Sequence, residues 1–278
     1  MNEIHANTHE ARGDHEAREG HEAPASEGDG TKPIATMRYG QFRDAALTLM
    51  ASALSRTKRP LWYAESLVLS ARYLQWLRSS PWAADALQCR DRLELWNRAV
   101  LTNLRGKEAT VLEFGVAEGI ATHWWAATGV RFAAWHGFDT FEGLPASWDR
   151  AGVPVMEAGV FLPGAGRGAV PQVQAPYPHT WHKGLIEDTL PPIERPDGPL
   201  FVLIDVDLLD PTLSILHWLL ENGRPGDLVY FDESFDPWNE GMAIRRALDD
   251  GLRFRALGYT AQGLVVELQE PRPENAVR

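Results

Sequence analysis

The stretch Thr110–Gly119 limits what this chain can fold into more than any other stretch. A short apolar run that carries one acid, Glu113, breaks at Gly115, and a helical pattern begins after Gly119. This order predicts a strand, a tight turn and a helix start. Glycine lets a backbone approach a ligand where a Cβ atom would collide, and the N–H groups of a helix start attract an anionic group. We therefore interpret the stretch as a ligand-binding turn.

A second acid strengthens this interpretation. Asp139 follows the next beta-like run, Phe132–Phe138, about 20 residues beyond the turn, where Rossmann-type folds place an acid on ribose hydroxyls. The alternative is that Asp139 belongs to an ordinary turn, since Thr140 and Gly143 would also suit one.

The remainder of the chain, to about residue 268, alternates predicted strands with predicted helices. Such alternation predicts an α/β fold with a mostly parallel sheet and helices on both faces. The last two predicted strands are joined by Gly258–Gln262, which is too short for a parallel crossover, so one edge should be antiparallel. Ligands bind at the carboxyl ends of parallel strands. The predicted strand ends carry Gly115, Asp139, Asp205, Asp207, Asp232 and Glu233.

The chain divides into three predicted regions. Residues 1–36 form an acidic, histidine-rich tail that we expect to be disordered, because residues 1–32 hold eight acids, three bases and almost no large apolar side chains. Residues 37–108 show helical spacing and should form helices that cover one edge of the sheet, with a role in gripping substrate as the alternative. Residues 109–270 hold the alternating section.

Composition argues against several classes of protein. The net charge of -11 and the lack of a basic patch argue against nucleic acid as a partner. The single cysteine, Cys89, allows no internal disulfide, which fits a reducing compartment. The sequence has no run of about 18 apolar residues and no signal pattern at its start. We therefore expect a soluble, cytoplasmic protein that does not bind membranes.

The segment Leu144–Pro178 is dense in glycine and proline and is predicted to be irregular. Loops this long in a compact domain usually cover an active site or are disordered. Because the segment leaves the sheet at the edge that carries the acids, we predict a lid over the ligand, with a structural insertion as the alternative.

Five motifs in this order resemble those of the class I S-adenosylmethionine-dependent methyltransferases. The narrower resemblance is to the macrocin O-methyltransferase branch, which methylates sugar hydroxyls of natural products. The motifs are EFGVAEG (Glu113–Gly119), GFDTFEGLP (Gly137–Pro145), KGLIEDTLP (Lys183–Pro191), IDVD (Ile204–Asp207) and VYFDE (Val229–Glu233). The resemblance spans residues 110–268 and implies a Rossmann-like fold with a seven-stranded sheet, whose last hairpin supplies the antiparallel strand.

The resemblance also implies S-adenosylmethionine as the cofactor and a hydroxyl of a small molecule as the methyl acceptor. It assigns Glu113, Gly115 and Gly119 to the methionine end of the cofactor, Asp139 to the ribose, and Glu187 and Asp188 to the neighbourhood of the adenine. Ala117 and Thr140 are further predicted cofactor-binding residues. Ala117 stands where the family usually has a third glycine. An ordinary helix N-cap is the alternative for Glu187 and Asp188. The oligomeric state is left open, with a homo-oligomer as one option.

The strand-end acids suggest how a methyl group would be transferred. The acceptor oxygen must be aligned with the sulfonium and must lose its proton near the transition state. We predict Asp205 and Asp207 as catalytic residues. We also predict Asp205, Asp232 and Glu233 as ligands of Mg²⁺, which prefers carboxylate oxygens. After Asp207 the chain lacks the tyrosine and serine common in the branch, a departure that concerns the acceptor more than the cofactor.

Other roles and other functions are still open at this point. The acids could cap helices or pair with Arg245 and Arg246. A histidine could be the base, and the candidates are His136, His179, His182 and His217. A catalytically silent protein could keep the cofactor pocket. A nicotinamide-dependent oxidoreductase could use the same turn and acid, but Val116–Glu118 interrupts the G-x-G-x-x-G fingerprint.

Overall fold

The computed structural model describes residues 49–52, 58–150, 153–164 and 166–270. The predicted tail, residues 1–36, lies outside the described residues, and so do residues 37–48 and 53–57 of the predicted helical region; residues 49–52 are helical. The sheet and the candidate site belong to one compact unit, which contains all described residues from 58 to 270.

Ten strands are described. They are β1 (Leu87–Gln88), β2 (Thr110–Phe114), β3 (Ala134–Asp139), β4 (Trp148–Arg150), β5 (Val153–Met156), β6 (His179–Lys183), β7 (Leu200–Ile204), β8 (Leu228–Phe231), β9 (Phe254–Tyr259) and β10 (Leu264–Leu268). Eight of them form one sheet in the order β1-β9-β10-β8-β7-β2-β3-β6, and β4 and β5 form a separate hairpin.

The sheet confirms the predicted Rossmann-like fold. Every neighbouring pair with a described register is parallel except the two pairs of β10, which is antiparallel to both β8 and β9. β10 follows β9 directly, as the short connection between them predicts. The sheet has eight strands rather than the expected seven because the two-residue β1 pairs with β9, and two residues are too few to show a strand pattern.

The described helices surround the sheet. They are α1 (Lys58–Ser79), α2 (Arg92–Leu95), α3 (Thr102–Leu104), α4 (Ile120–Ala127), α5 (Ile186–Thr189), α6 (Leu209–Asn222) and α7 (Glu240–Asp249), with a 3₁₀ turn at Pro81–Ala83 and a π-helical segment at Trp96–Leu101. Asp91 caps α2 by accepting a hydrogen bond from the N–H of Glu94 at 2.9 Å, which fixes Arg92 at the helix start. None of these helices is long and apolar enough to span a membrane.

Apolar side chains fill both faces of the sheet, so the central strand β2 is buried along its whole length. Leu112 and Phe114 pack into the core on one face, whereas Val111 packs into the core on the other, as expected for alternate residues of a strand. Because β2, β3, β7 and β8 pair in parallel, their carboxyl ends meet at one edge of the sheet.

The prediction that Leu144–Pro178 is irregular was wrong for part of the segment. β4 and β5 form an antiparallel hairpin there, in which Arg150 pairs with Val153. The density of glycine and proline concealed these two short strands, because neither is long enough to show the alternation that identifies a strand.

Candidate active site

The turn after β2 depends on the glycine that opens it. Gly115 has a φ of +83°, and a Cβ atom added there would lie 1.7 Å from the backbone oxygen of Asp205. No side chain fits that space. The turn after β2 therefore packs directly against the chain that leaves β7.

The same turn is joined to the acid at the end of β3. Ala117 has a φ of +46°, so this alanine adopts the left-handed conformation that glycine usually takes. Its N–H donates to Oδ2 of Asp139 at 2.8 Å, and the N–H of Phe141 donates to Oδ1 at 2.6 Å. Gly119 follows with a φ of +74° and stands at the N-cap of α4. The structure thus brings the glycine turn, Asp139 and a helix start together.

Glu113 lies beneath the turn. Its side chain is fully buried, and Oε2 accepts hydrogen bonds from Thr122 Oγ1 at 2.5 Å and Trp135 Nε1 at 2.8 Å. Oε1 has no hydrogen-bond partner among the described residues. Burial raises the pKa of Glu113 to about 7. Through these hydrogen bonds Glu113 connects the end of β2 to α4 and β3, the two elements that follow it in the β-α-β unit.

A cavity of about 650 Å³ lies between Thr140 and the end of β6. Lys183 and Leu185 form part of its wall. Thr140 donates its hydroxyl to the backbone oxygen of Gly143 at 2.9 Å, which holds the loop after β3 in a tight turn. The cavity therefore borders Thr140, the residue that follows the acid predicted to bind ribose.

The two acids predicted near the adenine lie further along the chain. Glu187 and Asp188 are both exposed, in the short helix α5 that follows β6. Neither lines the cavity beside Thr140. The structure therefore does not bring the side chains of these two acids into the cavity.

Part of the predicted lid segment lies against the glycine turn. The N–H of Gly164 donates to Oε1 of Glu118 at 2.9 Å, and Gly168 donates its N–H to the backbone oxygen of Phe141 at 2.5 Å. The cavity wall also includes residues of this segment, among them Ala158 and Arg167. The segment is therefore placed where a cover over the turn would be.

On the other side of the turn the sheet edge is acidic. Asp205 follows β7 and Asp232 follows β8, and one guanidinium group, that of Arg92, lies beside both. Nη2 of Arg92 donates to Oδ2 of Asp232, and Nη1 lies 3.8 Å from Oδ2 of Asp205. The other oxygen of Asp232 accepts a hydrogen bond from the hydroxyl of Tyr230. Both oxygens of Asp232 are therefore hydrogen-bonded.

A second guanidinium group, that of Arg150, lies beside Glu233 and Asp236. Arg150 is only 1% exposed and donates from Nε to Asp236 at 2.9 Å and from Nη1 to Ser66 at 3.2 Å. Its Nη2 lies 3.9 Å from Oε2 of Glu233. Trp148 donates from Nε1 to Asp236 at 3.1 Å. Because Trp148 and Arg150 belong to β4, the hairpin inserted after β3 forms one wall of the acidic region.

The crowding of carboxylates changes their protonation. Burial, followed by the charge of Asp232, raises the pKa of Asp207 to about 7 and that of Glu233 to about 9. Burial also raises the pKa of Asp205, Asp232 and Glu240. Asp207 is 9% exposed, and no described residue forms a hydrogen bond with its carboxylate. Asp207 is thus the acid of this group best suited to accept a proton near neutral pH.

The structure does not support the predicted magnesium site. Within the described ranges, no group of three or more histidine, cysteine or acidic side chains is arranged to hold a metal ion. Asp232 has both oxygens bonded, and Asp205 lies beside Arg92. Glu233 lies near Arg150 instead. Two guanidinium groups, which residue spacing did not reveal, compensate the charge that would attract a metal cation.

The other candidates for a base or an ion pair lie elsewhere. His136 on β3 and His182 on β6 place Nδ1 and Nε2 3.1 Å apart, and burial lowers the pKa of both. His179 and His217 are exposed. Arg245 lies over a tryptophan ring, with its Cζ 4.4 Å from the ring centroid. None of these is bonded to the acids at the ends of β7 and β8.

Non-glycine residues with a left-handed backbone conformation lie at the same edge of the sheet. Among the described residues, the non-glycine residues with positive φ are Ala117, Phe141, Phe161 and Asp207. The first, second and fourth shortly follow the carboxyl ends of β2, β3 and β7. Such conformations cost on the order of 1–3 kcal/mol each and tend to persist at functional sites. The strain marks this edge as the candidate active site.

Several solved structures are similar to this chain. It is 23% identical to CalS11, a calicheamicin methyltransferase, over 73% of this chain and 92% of that one, with a TM-score of 0.49. It is 17% identical to the O-methyltransferase NovP, over 72% and 100% of the two chains, with a TM-score of 0.44. It is 19% identical to TomG of Streptomyces achromogenes, an O-methyltransferase involved in tomaymycin synthesis, over 65% and 81%, with a TM-score of 0.35. No family model matches the sequence, and no curated protein matches it.

Proposed function

We propose that this chain is an S-adenosylmethionine-dependent O-methyltransferase that methylates a hydroxyl of a small molecule. One observation carries the proposal: the turn after β2 contacts Asp139 on one side and the backbone of Asp205 on the other. A cofactor bound at this turn would lie between an acid suited to its ribose and acids suited to deprotonate an acceptor. The region that would bind the cofactor and the region that would bind the acceptor therefore meet at this turn.

For the cofactor, we assign the methionine end to the turn from Gly115 to Gly119, supported from below by Glu113. The amino acid carboxylate of the cofactor suits the N–H groups at the start of α4. We assign the ribose to Asp139, with Thr140 beside it. An ionised carboxylate offers about four acceptor positions. Because Asp139 uses two of them for backbone N–H groups, positions are left for two ribose hydroxyls.

For the adenine, we assign the cavity beside Thr140 and the end of β6. Glu187 and Asp188 follow β6 in the short helix α5 and do not line this cavity. The segment Leu144–Pro178 would cover the bound cofactor, because it already contacts the glycine turn and lines the cavity. A cover of this kind excludes water from the reacting groups.

For the chemistry, we assign the base to Asp207. S-adenosylmethionine, when bound, would supply a methyl group that the acceptor oxygen takes by in-line displacement, with a neutral thioether as the leaving group. The acceptor proton passes to the Asp207 carboxylate and then to solvent. A pKa of about 7 leaves much of Asp207 ionised at neutral pH and makes it a stronger base than an ordinary aspartate. Asp205, which borders both the turn and Arg92, would orient the acceptor. Mg²⁺ does not fit these carboxylates, because Arg92 and Arg150 already lie beside them.

Calorimetric titration separates this proposal from its alternatives. We expect S-adenosylhomocysteine to bind and NAD not to bind. Incubation with S-adenosylmethionine and a panel of sugar and phenolic hydroxyl compounds should then produce a mass gain of about 14 Da, the added CH₂, on an acceptor. Cofactor binding without transfer to any acceptor would favour the silent binding protein. Binding of NAD but not of S-adenosylhomocysteine would overturn the proposal.

A further inference from the structure

The guanidinium group of Arg92 is a cation at the acidic edge of the sheet. Arg92 reaches Asp205 and Asp232 from the start of α2, the helix that Asp91 caps. Asp91 caps the helix at its start, the ring centroid of Trp96 lies 5.7 Å from the guanidinium carbon, and Asp232 accepts a hydrogen bond from Nη2. The side chain is still 44% exposed, so part of the guanidinium group is open to a ligand.

A guanidinium group can do at this edge much of what a metal ion would do. It carries a permanent positive charge and five N–H donors in a planar fork. Arg92 uses one donor on Asp232, which leaves others for an acceptor oxygen. Mg²⁺ would instead need oxygen ligands at about 2.0–2.1 Å in octahedral array. To supply a ligand, Asp232 would have to release Arg92 or the Tyr230 hydroxyl.

We propose that Arg92 is the cation of the acceptor site and that methyl transfer by this chain needs no divalent metal. The inference rests on the proposed function. The Arg92 guanidinium donates a hydrogen bond to the acceptor oxygen and stabilises the negative charge that this oxygen carries as its proton moves to Asp207. The new carbon–oxygen bond forms as the carbon–sulfur bond breaks, and Arg92 gains and loses no atoms.

Removal of Arg92 tests the inference without any turnover assay. In Arg92→Ala, Asp205, Asp232 and Glu233 lose their exposed cation, and the repulsion among them should favour a divalent ion. We expect titration with Mn²⁺, followed by electron paramagnetic resonance, to show a bound ion in Arg92→Ala and none in the unaltered chain. Adding Asp232→Asn to the variant should abolish the new binding, which places the ion at this edge.

Arg98→Ala is the matched control. Arg98 lies in the same helical run, is similarly exposed at 49%, and pairs with Glu94 rather than with the acids of the site. It should gain no Mn²⁺ binding and should keep its turnover. Calorimetry with S-adenosylhomocysteine is run on each variant, because it reports on the cofactor half alone.

Turnover gives a second, independent readout. The unaltered chain should work equally well in EDTA and in Mg²⁺. Arg92→Ala should lose about 10²–10³-fold, the usual effect of removing one donor to a developing oxyanion, and should recover in part when guanidinium ion is added below the concentration that unfolds the protein. Arg92→Lys keeps the charge but loses the planar fork, so a smaller loss is expected.

The outcomes separate the two proposals. If S-adenosylhomocysteine does not bind the unaltered chain, the proposed function fails. If it binds, stoichiometric Mn²⁺ binding by the unaltered chain, or turnover that EDTA abolishes, overturns the role of Arg92. Arg92→Ala that binds S-adenosylhomocysteine normally but gains no Mn²⁺ and is not rescued by guanidinium would also overturn it, since a folded variant would then show neither expected effect.

Discussion

Asp139 and the acids at the ends of β7 and β8 are held by different means. At the ends of β2 and β3, Asp139 accepts hydrogen bonds from two backbone N–H groups. At the ends of β7 and β8, the carboxylates are crowded together and rely on the side chains of Arg92 and Arg150. Backbone donors are set by the fold, whereas a side-chain cation can be removed by one substitution. We call the region around Asp139 and the glycine turn the nucleoside half, after the ligand proposed for it, and the region around Asp205, Asp207, Asp232 and Glu233 the acidic half. Changes in backbone shape should affect the nucleoside half, and changes in charge should affect the acidic half.

The largest expected effect belongs to the acidic half. Asp207→Asn should lower turnover about 10²–10⁴-fold, because the positioned base is lost, and should leave the affinity for S-adenosylhomocysteine unchanged. In the unaltered chain, turnover should rise with pH through about pH 7 as Asp207 ionises. Asp210→Asn, the same change at an exposed acid nearby, is the control. A normal rate in Asp207→Asn together with a large loss in Asp205→Asn would assign the base to Asp205 instead.

The next effect tests whether backbone shape governs the nucleoside half. In Gly115→Ala the new Cβ would collide with the backbone of Asp205, and a left-handed alanine is also strained. We expect a loss of about 2–4 kcal/mol in the free energy of unfolding and a loss of cofactor binding, both measured on the purified variant. Gly129→Ala is the control, because Gly129 has a φ of +74° but nothing within 4 Å of an added Cβ. Equal stability in the two variants would show that the contact with Asp205 is unimportant.

A smaller effect is expected from the ribose acid. Asp139→Ala should weaken binding of S-adenosylhomocysteine by about 1.5–3 kcal/mol, the range for hydrogen bonds to charged groups, as read by calorimetry. Asp197→Ala, at an exposed acid before the amino end of β7, should have no effect. If both variants bind as tightly as the unaltered chain, Asp139 does not contact the cofactor.

The smallest effect is the part of the pH dependence of stability that comes from Glu233. The pKa of Glu233 is raised in the folded chain to about 9, so the folded state binds more protons than the unfolded state between about pH 4.3, the ordinary value, and pH 9. Its contribution to stability is therefore complete below the ordinary pKa and is lost as pH rises through about 9. Denaturant titrations between these limits should show a weaker decline with pH in Glu233→Gln than in the unaltered chain. Glu108→Gln, at an exposed site, should decline as the unaltered chain does.

The same contrast explains what could be predicted from the sequence. The alternation of strands and helices was enough to predict the sheet, and the short connection before β10 was enough to predict its antiparallel strand. The glycine turn and Asp139 meet within one β-α-β unit, so local residue order identifies both. Arg92 and Arg150 carry no such signal, because each reaches the acids from a separate part of the chain and neither lies in a motif. The magnesium prediction counted the carboxylates and missed these two cations.

The distances along the chain also imply an order of assembly. The hydrogen bond between Ala117 and Asp139 joins residues 22 apart, whereas Arg150 and Asp236 are 86 apart and Arg92 and Asp232 are 140 apart. Closing a longer loop costs more entropy, and contacts between distant residues form later in folding. During synthesis, the turn and Asp139 can meet soon after β3 leaves the ribosome, while Arg92 must wait for β8. A nascent chain would therefore complete its nucleoside half first and carry an unmatched guanidinium group until most of the sheet has been made.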